Sequence, residues 1–155
     1  MDARSLLERV ARALEVARLE AVLIGNAGAA LQGAPVTTRD LDFMFRKTAG
    51  NLGKLKAVAR QLDASILRPY YPASELFRVV NDDIGLQADF MAKVDGVRSF
   101  EALRGRATRL ALGDARLWVA DLADIARSKR AANRPRDRAV LPVLEATLRE
   151  KARQG

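Results

Sequence analysis

Two aspartates one residue apart, Asp40 and Asp42, stand in an alternating stretch, Asp40-Leu41-Asp42-Phe43-Met44-Phe45. The two-residue period of a strand puts Leu41, Phe43 and Phe45 on one face and Asp40, Asp42 and Met44 on the other. Two carboxylates roughly 6 Å apart repel by about 3 kcal/mol at an effective dielectric near 20. Aspartate is also a poor strand former. A divalent cation would turn that repulsion into binding, so the pair reads as a metal ligand set. The bland alternative is a solvated edge strand with two harmless acids. A third acid, Asp89, stands in another alternating run, Ile84–Val94. There Ile84, Leu86, Ala88, Phe90, Ala92 and Val94 form the apolar face, and Gln87, Asp89, Met91 and Lys93 the other. If the two strands pair, the three acids meet on one sheet face. Taken alone, Asp89 is a solvent-facing residue.

Composition narrows the chemistry further. The chain has 155 residues, no cysteine and no histidine. That removes thiolate and imidazole metal sites, Ser-His-Asp triads and imidazole bases together. A metal must sit on oxygen ligands, which points to magnesium or manganese. The net charge is +8. The basic set is dominated by arginine, whose fork matches phosphate; the alternative is simply an arginine-rich surface. With 49% hydrophobic residues the chain builds one domain with a real core. No apolar run approaches the ~20 residues of a membrane helix, and no signal-peptide pattern opens the chain. The expectation is a cytoplasmic protein without a membrane partner.

Several elements must position the acids. Residues 2–19 read as an amphipathic helix with Leu6, Leu7, Val10, Leu14 and Ala17 on one stripe. Glu20–Ile24 is a first strand, ending at Gly25. Asn26 is suited to cap a short helix, Ala27–Leu31, stopped by Gly33 and Pro35. Free N–H groups at that start favour an anion, although most such turns merely cap a helix. Ala49–Leu62 reads as a helix, Ser65–Leu67 and Leu76–Val80 as strands, and Asn81-Asp82-Asp83 as a turn. Pro69 breaks the chain between those strands, and Tyr70-Tyr71-Pro72 is suited to stacking on a base or to loop packing. Phe100–Arg106 is a short helix or loop, and Thr108–Leu112 with Arg116–Ala120 suits a hairpin carrying Trp118.

Asp121 caps a helix to about Ala132, with Leu122, Ile125 and Ala126 inward. Lys129 continues that inward stripe, so it needs an anion or must snorkel to water. The helix ends before Arg134-Pro135. A last helix follows Arg136 and Asp137 to about Ala152, with Pro142 kinking it or marking its start.

Gly25-Asn26, the small helix, Thr38-Arg39-Asp40-Leu41-Asp42 and the later strand aspartate together resemble the DNA polymerase β-type nucleotidyltransferase superfamily. The tail, Asp124-Ile125-Ala126-Arg127-Ser128-Lys129 and then Asn133-Arg134-Pro135-Arg136-Asp137-Arg138, resembles small bacterial nucleotidyltransferase-like proteins, including abortive-infection and toxin–antitoxin types. The matches span roughly residues 20–150. The chain departs from the pattern at Asn26, where a second glycine or a serine is usual, and at Val36, where many members carry arginine. The resemblance implies an α+β fold: a mixed β-sheet with helices packed on one side and a C-terminal helical pair. It implies a single domain over 1–155, with an N-terminal helix (1–19), a catalytic core (20–120) and C-terminal helices (121–155).

The resemblance also implies roles. Asp40 and Asp42 would hold two magnesium (or manganese) ions, and Asp89 would ligate the second and help deprotonate the acceptor. Gly25 and Asn26 would bind the β- and γ-phosphates, with Thr38 on the same nucleotide-binding side. Lys129 would neutralise the leaving pyrophosphate, and Asp137 would orient Lys129 or the acceptor. The implied activity moves a nucleoside monophosphate from a nucleoside triphosphate to a hydroxyl or phosphate acceptor, such as RNA, tRNA or protein. A second reading is a binding module on the same fold, an antitoxin or partner-binding protein with vestigial chemistry. A third is a sequence-independent nucleic-acid binder driven by arginines alone.

Overall fold

The computed structural model describes residues 1–68 and 75–155. The break at Pro69 and the Tyr70-Tyr71-Pro72 stretch therefore lie outside the described residues.

The chain opens with α1 (Ala3–Ala17), started by Asp2, whose side chain accepts from the Ser5 N–H. It ends at Arg18 in the left-handed region (φ 56°). Its stripe buries Leu6, Leu7, Val10 and Leu14, while Ala17 is only partly buried. β1 (Ala21–Ile24) is buried along its whole length, as expected of a central strand covered on both faces. α2 (Gly25–Ala30) follows without a linker. β2 (Asp40–Phe45), α3 (Ala49–Gln61) and β3 (Ser65–Leu67) come next. α3 is started by Thr48, which accepts from the Asn51 N–H. β4 (Leu76–Asn81) and β5 (Leu86–Met91) form the next antiparallel pair. Ser99 caps α4 (Phe100–Arg106), and β6 (Thr108–Leu112) pairs antiparallel with β7 (Ala115–Val119). Asp121 caps α5 (Leu122–Ala132), and α6 (Pro135–Gln154) closes the chain.

Among the described residues seven strands make one mixed sheet, in the order β3-β4-β5-β2-β1-β7-β6. β2 lies between β1 (antiparallel) and β5 (parallel). It is an interior strand, which removes the edge-strand reading of Asp40 and Asp42. Leu23, Leu41, Phe43, Phe45 and Phe90 face α1 and α3. Phe43 stacks on Phe90 at 4.9 Å between ring centroids, and Phe45 meets Phe90 edge-on. Each fully buried ring stabilises the fold by roughly 2 kcal/mol or more. Val22, Ile24 and Met44 point the other way, into a second apolar layer with α2, α4, α5 and α6. Period two thus sends alternate residues of β1 and β2 into separate layers.

Three expected boundaries shift. The strand expected over Ile84–Val94 shortens to Leu86–Met91. Asn81 accepts from the Asp83 N–H and winds Asp82–Ile84 into a 3₁₀ turn, which Gly85 leaves with φ 72°. Beyond Met91 the alternation fails, and Val94 packs in the second layer instead. Asn26 is not a cap: α2 begins at Gly25, Ile24 holds the N-cap position, and no side chain bonds there. The last helix starts at Pro135, because Arg134 and Asp137 form a reciprocal cap; Pro142 therefore lies inside the helix and does not mark its start. Among the described residues, no helix is long and apolar enough to cross a membrane.

Candidate active site

Strand register assembles the acids. In the β2–β5 pair Asp42 stands opposite Asp89, and Asp40 opposite Gln87. Paired residues share a face, so the three carboxylates lie on one side of the sheet. On the other flank β1 sets Ile24 opposite Asp42, and the chain turns at once through Gly25. Gly25 has φ 67°, and a Cβ there would lie 2.9 Å from Asp42 Oδ2. Only glycine meets both demands, the left-handed backbone and the close carboxylate. Gly28 serves the packing: a Cβ would lie 3.0 Å from Ile125 Cδ1 and 3.1 Å from the Leu23 carbonyl.

A cleft of about 650 Å³ opens over this face. Gly25, Asn26, Thr38, Asp40, Asp42, Asp89, Lys129 and Asp137, the residues singled out from sequence, all line it. They reach it differently. The Thr38 hydroxyl accepts from the Asp40 N–H at 3.1 Å and so shapes the entry to β2. Asn26 lies in the first turn of α2, and its Oδ1 is buried with no partner among the described residues. An orphaned acceptor costs about 1–3 kcal/mol until a donor arrives.

Lys129 and Asp137 meet where α5 hands over to α6. Lys129 Nζ is 3.7 Å from Asp137 Oδ1, so the inward lysine finds a carboxylate and does not snorkel. Arg134 donates to Asp137 Oδ2 from its backbone N–H (3.1 Å) and its Nε (2.6 Å). Asp137 is 1% exposed. Burial pushes its carboxyl up, but the Arg134 bonds and Lys129 outweigh burial and hold it below the usual carboxylate range. Burial depresses the Lys129 ammonium, with Asp137 pulling the other way.

Asp40 is exposed and Asp42 half-buried. Among the described residues neither carboxylate has an ion-pair or hydrogen-bond partner. Burial, then the charges of Asp89 and Asp40, push the Asp42 carboxyl up to about 6. Lys129 and Arg134 oppose that rise without cancelling it. Asp89 differs. Arg78 on β4 stands opposite it in register. Arg78 Nε donates to Asp89 Oδ1 at 2.9 Å, and a terminal nitrogen donates to Oδ2 at 3.2 Å.

The donor set can be tested against a divalent ion on these observations. Asp40 and Asp42 fit: oxygen ligands, adjacent on one face, with no ion-pair partner among the described residues. Asp89 already has its counter-charge, and no cluster of three acidic side chains among the described residues is arranged to hold a metal ion.

Arg78 was not legible from the sequence, since nothing local to Leu76–Asn81 links it to Asp89; only the β4–β5 register does. Arg134 could have been found from its three-residue spacing to Asp137, a capping-box interval. Both line the cleft.

No protein-family model and no curated protein sequence matches the chain. Solved structures do. The antibiotic-resistance factor ANT(2'')-Ia in solution superposes with a TM-score of 0.66 at 13% identity, over 94% of this chain and 83% of that one. The lincosamide antibiotic adenylyltransferase LnuA, solved with lincomycin, gives 0.65 at 12% identity, over 92% and 96%. The Thermotoga maritima protein TM1012, a nucleotidyltransferase by assignment, gives 0.59 at 16%, over 97% and 92%. Likeness at such low identity establishes the fold, which is that of the nucleotidyltransferases, and leaves activity to be argued from the site.

Proposed function

We propose that this chain transfers a nucleoside monophosphate from a nucleoside triphosphate to an acceptor hydroxyl, using the cleft over Asp40 and Asp42. The observation that carries this reading is the Asp40–Asp42 pair, without a direct ion-pair partner among the described residues and with Asp42 held up to about 6. A fold keeps such a charged pair in its interior sheet at a cost, and a bound cation relieves it. Magnesium or manganese, when bound there, would supply charge to the phosphates and the attacking oxygen.

The chain's own groups do the rest. Lys129 and Arg134, whose charges reach Asp42 across the cleft, would hold the triphosphate and take up charge developing on the leaving pyrophosphate. The first turn of α2 leaves backbone N–H groups without intrahelical partners, and the Asn26 amide adds a polar group beside them. The acceptor oxygen would attack the α-phosphorus while the bond from that phosphorus to the pyrophosphate oxygen breaks. Asp89, opposite Asp42, would receive the hydroxyl proton; each of its oxygens keeps a lone pair outside the Arg78 fork.

The charge of +8 favours a polyanionic acceptor, and RNA suits it better than a polycation would. ANT(2'')-Ia, whose crystal structure holds adenylyl-2''-tobramycin, superposes as well, so small hydroxylated acceptors belong in the same assay.

Labelled ATP, GTP, CTP and UTP, each with magnesium and total cell RNA, test the reading. Label should pass to an acceptor, and Asp42→Asn should cut the rate at least ~10²-fold. Equal labelling by both proteins refutes the assignment. A second reading, a partner-binding module with lost chemistry such as an antitoxin, is favoured by one observation, the neutralised Asp89. It is selected if calorimetry finds no nucleotide bound in the presence of magnesium.

A further inference from the structure

We infer that Arg78 is the resident second cation of this cleft, so that the site takes a single divalent ion, at Asp40 and Asp42, where the resemblance implies two. This rests on the reading above only in assuming that Asp40 and Asp42 bind a divalent ion at all.

Three adjacent strands carry the inference. Arg78 on β4 stands opposite Asp89 on β5, and Asp89 stands opposite Asp42 on β2. The row across the sheet therefore runs cation, anion, anion, with neighbouring strands under 5 Å apart. The contact between the first two is a fork, at 2.9 and 3.2 Å, not a passing surface pair. Asp89 is 7% exposed, and the Arg78 side chain is 33% exposed. Arg78 neutralises Asp89, and Lys129 and Arg134 are ion-paired to Asp137, so the remaining pair, Asp40 and Asp42, carries the charge that one divalent ion matches.

A second divalent ion at Asp89 would have to sit beside a fixed guanidinium or displace it. The first arrangement sets like charges together at short range. The second strips a buried carboxylate of its hydrogen-bonded partner, which is among the costlier single changes a fold can undergo. An arginine fork is also suited to the duty, since it stays charged at any working pH and matches a carboxylate with two parallel bonds.

The test counts bound Mn²⁺ by equilibrium dialysis with a non-hydrolysable triphosphate analogue on both sides of the membrane, so that Mn²⁺ held by free analogue cancels. The wild-type chain should bind one Mn²⁺ per chain. Arg78→Gln should bind two, and Arg78→Lys, which keeps the charge, one. Two ions on the wild-type chain overturn the inference and leave the proposed activity standing. So does one ion on a folded Arg78→Gln, which would make Arg78 a purely positional partner of Asp89. No ion on the wild-type chain overturns this inference and the metal-dependent reading together. The wild-type count decides even if Arg78→Gln does not fold. Where it does fold, added Mn²⁺ should raise its melting temperature more than that of the wild-type chain; an equal shift counts against the inference.

Discussion

Asp42 carries the residue-scale consequences. Its carboxyl is pushed up to about 6 in the folded chain by burial and then by Asp89 and Asp40. A carboxyl raised on folding stabilises the fold while protonated, below its unfolded value near 3.9, and loses that contribution as pH rises through about 6. The metal-free protein should therefore be less stable at pH 8 than at pH 5, by on the order of 1–2 kcal/mol from this group. Asp42→Asn should remove that dependence. Thermal unfolding of both proteins in chelator should show the mutant gaining on the wild type between pH 4 and 7 and holding its lead above. Parallel curves would mean that Asp42 titrates normally. Gly25 is the companion case. With φ 67° and Asp42 Oδ2 2.9 Å from any added Cβ, Gly25→Ala should cost about 2 kcal/mol and weaken Mn²⁺ binding by displacing the carboxylate. Mn²⁺ titration of Gly25→Ala beside Gly33→Ala checks it, since Gly33 has a positive φ but open space around its Cβ position.

Helices frame the cleft at the scale of elements, and α5 is tied to α4 beneath it. Asp124, 3% exposed, accepts from Arg106 through two bonds at 2.8 and 3.0 Å, and from Arg127 at 2.6 Å. Both arginines are about half exposed and can turn to water if the acid is lost. Asp124→Ala should therefore cost about 2 kcal/mol, below the value for a fully buried pair, and loosen α5, which carries Lys129. Denaturant unfolding measures the first effect, and nucleotide affinity by calorimetry the second. Most elements were legible because their signals are local: apolar periodicity for α1 and α3, Asp121 and Ser99 as caps, alternation for β2. The misplaced ends have a common cause. The start of α2 is set by the left-handed backbone at Gly25, and the two termini of β5 and the start of α6 by specific side chains or by packing into the second layer. None of these shows in a hydrophobic period.

The whole molecule has a net charge of +8 on 155 residues, and its cleft sets basic side chains (Arg78, Lys129, Arg134) among the acids Asp40, Asp42 and Asp89. That combination favours an acceptor whose phosphates are held by arginines while its hydroxyl reaches the acids. RNA retention should fall at least ~10-fold between 50 and 200 mM salt, while triphosphate binding should fall less. Filter binding over that range gives the answer, and a flat RNA curve would remove the polyanion. Sheet order matters at this scale. β2 lies between β1 and β5, so residues distant in the chain become neighbours on a single face.

Sequence alone determined the acidic strand, the glycine turn before it, the absence of thiolate and imidazole side chains and the inward lysine. Each follows from residue type or from a period of two or 3.6, and both act within a few residues. Tertiary structure decided what those groups meet. It set Asp89 across from Asp42, gave Lys129 its carboxylate, and placed Arg78 on Asp89. Such pairings depend on which strands lie side by side and in what register, and no local pattern encodes that. Register is fixed by burying Phe43, Phe45 and Phe90 together, a choice made by the whole core.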